Sequence, residues 1–301
     1  MQKPAVALAA AVGRRKWTVE TAKRLEDAGF SGIYCASFGD GMGLCLSIAH
    51  ATNRIKFGTS IIPIYYRVPF DLAQSAAYIH EISDGRFYLG IGVSHAPSNA
   101  RIGAKPGKPL SDMRQYVEAM RSASQQVGPL PPIVLATLRR RMVDLAVEIA
   151  EGAVWANAAR SHMPESLSHI PAEKREGDFF IGDMIPMCID DEDPTAAANV
   201  MKRVLTGYVM LPNYRNYWKE AGYVEEMEAI EAALARGDRE ALPGLMNERW
   251  LSDCTLFGTR QQVLDGLERW YAAGVKTPIV VPSSTKGGQV KAFEELFAAF
   301  A

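Results

Sequence analysis

The chain has 301 residues, of which 48% are hydrophobic and 22% charged; this excludes a disordered chain, because the apolar surface is ample to offset the entropy of ordering. Lys and Arg total 33 against 34 Asp and Glu, for a net charge of −1, which excludes the basic excess that a nucleic-acid binder uses to neutralise phosphates. No run approaches the roughly 18–20 unbroken apolar residues of a membrane helix, and the scattered cysteines (Cys35, Cys45, Cys188, Cys254) and the histidines lack metal-ligand spacing, so a cytoplasmic protein without a structural metal is expected.

In chain order, short β-rich apolar runs alternate with segments of helical period. Residues 5–10 read as a first buried strand; Gly13-Arg14-Arg15-Lys16 follows where a signal-peptide cleavage site would fall. A helix is expected to open at Thr18 as N-cap, with Val19, Ala22, Leu25 and Ala28 as its apolar face and Gly29 past its end. Residues 32–35 are the second strand, 44–51 a helical segment and 55–60 the third strand. Pro69 suits the first turn of a helix reaching Ser83, and Asp84-Gly85 ends it. Residues 87–91, 132–136, 152–156, 183–188 and 277–281 read as strands four to eight, with helices at 109–126, 141–149 and 290–300. Helical segments at 194–208, 213–221, 224–236 and 259–273 fill the long gap before the last strand; Thr259 and Gln262 form a capping box.

Eight strands alternating with helices point to a (β/α)₈ TIM barrel. A doubly wound sheet is the rival, but 9–13 does not supply its Gly-rich phosphate turn. With no linker composition in view, the chain reads as one barrel domain over 1–301 with a helical insertion at about 194–250 between strands seven and eight. Within it Trp218, Tyr223 and Trp250 are expected to pack the insertion on the barrel, and Glu225, Glu226 and Glu228 to form an exposed helix side.

In such a barrel the active site forms from the loops after the C-terminal ends of the strands. The loop after strand two holds Ser37-Phe38-Gly39-Asp40. The third loop, Gly58-Thr59-Ser60-Ile61-Ile62-Pro63-Ile64-Tyr65-Tyr66-Arg67-Val68-Pro69, carries two tyrosines and an arginine, either capping the mouth or orienting a substrate carbonyl. The fourth unit reads Ser83-Asp84-Gly85-Arg86-Phe87-Tyr88-Leu89-Gly90-Ile91-Gly92-Val93-Ser94-His95-Ala96-Pro97, and its glycines allow close approach to the backbone.

These two segments, in this order and spacing, resemble the luciferase-like flavin-dependent oxidoreductases, through Gly85-Arg86-Phe87 and Leu89-Gly90-Ile91-Gly92 above all. The run Gly92 to Pro97, with Gly107-Lys108-Pro109-Leu110 and Met113-Arg114-Gln115-Tyr116, resembles the branch generally assigned to the deazaflavin coenzyme F420. Leu256-Phe257-Gly258-Thr259 and Ala273-Gly274-Val275 look like the family's last barrel unit. The resemblance implies a non-prolyl cis peptide at Ser60–Ile61, packed against the cofactor ring, and a lining for the cofactor side chain from Gly92, Val93, Ser94 and Ala96. It implies contacts to ribityl and phosphate groups from Ala136 and Thr137 and from Ala156, Asn157 and Ala158, through backbone N–H groups. It also implies a homodimer.

The acidic residue and histidine that sugar- and alcohol-oxidising relatives place after strand two are not matched, and Val93 falls where they have a glutamate, so that activity is not assigned. His95 is the best titratable candidate, with a structural histidine as the alternative; Tyr65 and Arg67 are candidates for substrate contact. Arg139-Arg140-Arg141 either meets a phosphate or the acidic glutamyl tail of a deazaflavin, or is a solvated face. The expected activity is hydride transfer between coenzyme F420 and a small organic substrate. The rivals are an FMN-dependent monooxygenase served by a partner flavin reductase, and a barrel that binds cofactor or ligand without turnover.

Overall fold

The computed structural model describes residues 2–37 and 39–301; Phe38, in the candidate loop after strand two, lies outside the described residues. The strands are β1 (Ala5–Leu8), β2 (Gly32–Ala36), β3 (Lys56–Ser60), β4 (Ile62–Pro63), β5 (Phe87–Gly92), β6 (Ile133–Ala136), β7 (Gly152–Ala156), β8 (Phe180–Ile189), β9 (Leu256–Gly258) and β10 (Thr277–Ser283). They run in the order β10-β1-β2-β3-β5-β6-β7-β8-β9, and β10 also pairs with β8. This is a closed eight-stranded parallel barrel with surrounding helices, the (β/α)₈ fold expected from the alternation. The two short strands, β4 and β9, are additions that periodicity does not reveal.

The chain divides into two compact units. One comprises Gln2–Trp155 with His169–Gly182, and the other Ala156–Ser168 with Asp183–Ala301. In the first, parallel pairing aligns Ala5 with Gly32, Ala36 with Ser60, and Ile91 with Leu135. The strand interiors are buried except at Tyr88, which is partly exposed, as parallel strands covered on both faces require. The first helix runs Arg15–Asp27 and begins before Thr18, so Thr18 is not its cap. The Thr18 hydroxyl donates to the Arg14 carbonyl at 3.0 Å, back-bonding within the first turn, and the buried face is Thr18, Thr21, Ala22 and Leu25. Asp40 caps the helix Gly41–Ala51, accepting from the Gly43 N–H at 2.9 Å.

The Gly85-Arg86-Phe87 motif has a structural explanation. Helix Pro69–Ile82 stops at Ser83, and Asp84 and Gly85 both take positive φ, at 51° and 76°. The turn delivers Arg86 beneath the barrel wall, where its guanidinium donates to the carbonyls of Ser83, Ile55, Ala49 and Thr52 and to the Thr52 hydroxyl, at 2.9–3.2 Å. It lies 5.2 Å from the Phe57 ring centroid. Three of those carbonyls and the hydroxyl belong to the end of helix Gly41–Ala51 and the entry to β3, so one side chain ties three elements together.

In the second unit the region after β8 holds helices Pro194–Val209, Pro212–Glu220, Val224–Ala235 and Glu248–Cys254. Trp218 and Trp250 are fully buried, with ring centroids 4.8 Å apart and edge-on, and Tyr223 is buried beside them. Glu226 departs from the exposed face expected of it. It is buried, because Asn247 Nδ2 and Arg249 each donate to its Oε1 at 2.8 Å. Among the described residues, no helix is long and apolar enough to cross a membrane.

Arg86→Lys tests the guanidinium hub. Lysine offers three donors from one point and cannot reach all of these acceptors, so the substitution is expected to cost about 2–3 kcal/mol in denaturant unfolding.

Candidate active site

The first unit has a bulged strand end. β3 pairs with β5 at Phe57↔Phe87 and Gly58↔Tyr88, and pairing resumes at Ile62↔Ile91 and Pro63↔Gly92. Thr59, Ser60 and Ile61 therefore lie opposite only Leu89 and Gly90, one residue in excess, which is a β-bulge. The Ser60–Ile61 peptide within it is cis, at the bond the resemblance singled out. The Thr59 hydroxyl donates to the Gly90 carbonyl at 2.7 Å. A Cβ at Gly90 would collide with the Thr59 carbonyl oxygen, so this position demands glycine. At Gly92 a Cβ would stand 2.8 Å from the Ala136 Cβ and 3.0 Å from Ile61 Cδ1. Ile61, Gly92 and Ala136 therefore form one continuous apolar surface, with no side chain raised at its centre. Ser60 is buried behind it.

Past Gly92 the chain turns at Ser94, whose φ of 58° is in the left-handed region that few non-glycine residues adopt. Asn99 secures the turn. Its Nδ2 donates to the Val93 carbonyl at 3.1 Å and its N–H to the His95 carbonyl at 3.0 Å. Among the described residues, the N–H groups of Ser94 and Ala96 donate to no backbone acceptor in turns or loops. His95 precedes the short helix Ala96–Arg101 and is half-buried; burial pushes its pKa down, so the imidazole is neutral at neutral pH. Thr137 is buried, and its N–H donates to the Val154 carbonyl at 2.8 Å.

Tyr65 and Arg67 are both committed to the scaffold. The Tyr65 hydroxyl donates to Asp112 Oδ2 at 2.6 Å, and the Gly107 N–H donates to the same oxygen at 2.7 Å. Burial and the Asp112 carboxylate both push the Tyr65 phenol up. Arg67 pairs with Asp71 at 2.5 Å and donates to the Ser75 hydroxyl at 2.7 Å, while its carbonyl accepts from the Tyr116 hydroxyl at 2.8 Å. The two residues brace the entry to helix Pro69–Ile82 and the start of helix Pro109–Val127.

Within the second unit lie Ala156, Asn157 and Ala158 and the loop that follows them. Asn157 is 2% exposed with φ 55°, and Ala158 is fully buried. The loop's N–H groups are engaged within the unit. Asn157 donates to the Met184 carbonyl at 3.0 Å, Ala158 to Asp183 Oδ1 at 3.4 Å, Ala159 to the Tyr217 hydroxyl at 3.0 Å, and Ser161 to Asp253 at 3.1 Å. The Trp218 indole donates to the Asn157 carbonyl at 3.2 Å. Asp183, Tyr217 and Asp253 have no place in the sequence reading of the site. Asp183 is fully buried, and burial pushes its carboxyl well above the usual carboxylate range despite the Ala158 N–H. An acidic residue inside an otherwise apolar strand is the signal that marks it.

The luciferase-like monooxygenase family model matches residues 3–277, and the chain belongs to that family. It is 25% identical to a Mycobacterium tuberculosis protein provisionally named a coenzyme F420-dependent oxidoreductase, across 87% of this chain and 89% of that protein. It is 26% identical to the 5,10-methylenetetrahydromethanopterin reductase of Archaeoglobus fulgidus, across 78% and 79% of the two chains. The solved coenzyme F420-dependent tetrahydromethanopterin reductase of Methanopyrus kandleri shares the fold with a TM-score of 0.74 at 19% identity, covering 99% of this chain and 98% of that one.

Gly90→Ala tests the bulge. The added methyl meets the Thr59 carbonyl, part of the backbone itself, so the variant is expected to lose about 3 kcal/mol of stability in thermal or denaturant unfolding.

Proposed function

We propose that the protein is a coenzyme F420-dependent oxidoreductase that exchanges a hydride with a small organic substrate at the C-terminal ends of the barrel strands. The observation that carries this reading is the apolar surface of Ile61, Gly92 and Ala136 beside the bulge, a cradle that a Cβ at Gly92 would fill. When bound, the deazaflavin supplies a two-electron carrier that takes up or releases the hydride.

The chain's own residues would hold the ring, shield it and take up the substrate's proton. Ile61, Gly92 and Ala136 support one face of a planar ring and keep water from it. The N–H groups of Ser94 and Ala96 are donors for polar groups at the ring edge and side chain. His95, held neutral by burial, acts as a base and accepts the proton that a substrate hydroxyl gives up as the adjacent carbon loses its hydride. Arg101, Lys105, Lys108, Arg140 and Arg141 are exposed on the segments after β5 and β6. Helices Pro109–Val127 and Arg140–Ile149, which these cations adjoin, pack against each other, and Arg114 of the first pairs with Glu148 of the second. Arg140 also pairs with Asp144 at 3.6 Å; exposed cations on these two segments suit a phosphate extended by an acidic tail better than the single phosphate of FMN. The name of the Mycobacterium tuberculosis relative supports the same cofactor class.

Titration of the purified protein with deazaflavin and with FMN, followed by tryptophan fluorescence quenching, tests the cofactor. Deazaflavin is expected to bind in the micromolar range and FMN at least about tenfold more weakly. Preference for FMN would replace this reading with a monooxygenase served by a reductase, and binding of neither would remove the site assignment. His95 is tested by pH. Its neutral form is the working form, so activity is expected to be full above the lowered pKa and lost as pH falls through it, with a midpoint below about 6.5. His95→Asn is expected to lower kcat by about 100-fold and to abolish that acid limb.

A further inference from the structure

We propose that Asp253 is a positioning residue: it holds the loop 157–162 in the conformation that presents Ala156, Asn157 and Ala158. The proposal rests on the cofactor reading above.

Asp253 lies in helix Glu248–Cys254, and its side chain is 5% exposed. Its carboxylate accepts the Ser161 N–H at 3.1 Å, the Ser161 hydroxyl at 2.6 Å and the Tyr223 hydroxyl at 2.8 Å, and it pairs with Arg160 at 3.0 Å. These donors fill the lone-pair positions a carboxylate offers. The neighbouring anchors act on the same loop. The Tyr217 hydroxyl accepts from Ala159 N–H, and the Trp218 indole donates to the Asn157 carbonyl.

The loop has little reason of its own to keep this shape. Asn157 sits at φ 55°, in the left-handed region that asparagine tolerates better than most residues, so the turn itself is compatible with its sequence while its anchoring is not local. Loop residues 158 and 159 are alanines, whose side chains offer no hydrogen bond. The anchoring comes from Asp253, Tyr217 and Trp218, all from helices about 60 to 90 residues further along the chain. Asparagine at 253 would offer one acceptor oxygen and would turn an NH₂ donor toward donors, so it cannot satisfy the same set.

The test compares Asp253→Asn with Ser161→Ala, the latter removing one bond from an exposed residue and leaving the fold intact. Hydrogen exchange of peptides covering 156–163, deazaflavin Kd, and KM against kcat are read together. In Asp253→Asn, exchange at the Ser161 amide is expected to rise about tenfold or more while the β5 and β6 amides stay unchanged. Kd and KM for the deazaflavin rise about fivefold or more, with kcat within about twofold of wild type; Ser161→Ala shifts the same quantities less. Unchanged loop exchange, a uniform rise across the whole chain, or a loosened loop with unchanged Kd would each overturn the proposal. If the wild-type chain itself binds no deazaflavin, the cofactor reading fails, and the exchange data alone decide whether Asp253 orders the loop.

Discussion

The arrangement of the site depends on a backbone-to-backbone contact, the Thr59 carbonyl against Gly90. A regular parallel pair keeps one register along its length. Here the register changes between Gly58↔Tyr88 and Ile62↔Ile91, and the extra residue has to go somewhere. The missing side chain at Gly90 gives it room, and the Thr59 hydroxyl bond to the Gly90 carbonyl holds it there. Because side chains alternate along a strand, one added residue reverses which face each later side chain takes. That reversal places Ile61 beside Gly92 and Ala136. A bulge is thus a means of aiming a side chain, and the absence of two Cβ atoms makes this one possible.

The two loops that carry the candidate cofactor residues are held differently. After β5, the Ser94 turn is secured from behind by Asn99, which engages the carbonyls of Val93 and His95. After β7 the reverse holds, since the N–H groups of Asn157, Ala158, Ala159 and Ser161 all find acceptors inside their own unit. The N–H groups of the loop after β7 are thus satisfied within the protein, as buried backbone donors require.

The barrel was legible because its signals are local and repeated. Strand runs alternate with helical periods, and Asp84-Gly85 and Gly29 mark helix ends where the structure has them. The bulge was legible only through the family resemblance. Other features escaped for physical reasons. Helix Arg15–Asp27 starts without a side-chain cap, so the first good capping residue, Thr18, was mistaken for its start. Helices Met163–Ser168 and Ala172–Glu176 are too short to display a period. The partners of Asp253 and Glu226 are set by tertiary packing, and nothing near these residues in sequence announces that Ser161 or Arg249 will meet them. Tyr65 and Arg67 were legible as a polar group at the mouth, but their partners Asp112 and Asp71 decide that they brace helices.

The strongest sequence motif and the chemistry are therefore different things. Gly85-Arg86-Phe87 identifies the chain because Arg86 must satisfy five acceptors at the base of β5, a demand that guanidinium geometry meets and few other side chains do. It fixes where β5 enters the barrel and hence how far along it Gly90 and Gly92 fall. Six residues of strand then carry that placement to the opposite end, where Gly92 opens the apolar surface and Ser94 turns the chain toward His95. A residue at the closed end of the barrel thus sets the register on which the open end depends, by the rigidity of a parallel strand hydrogen-bonded on both sides.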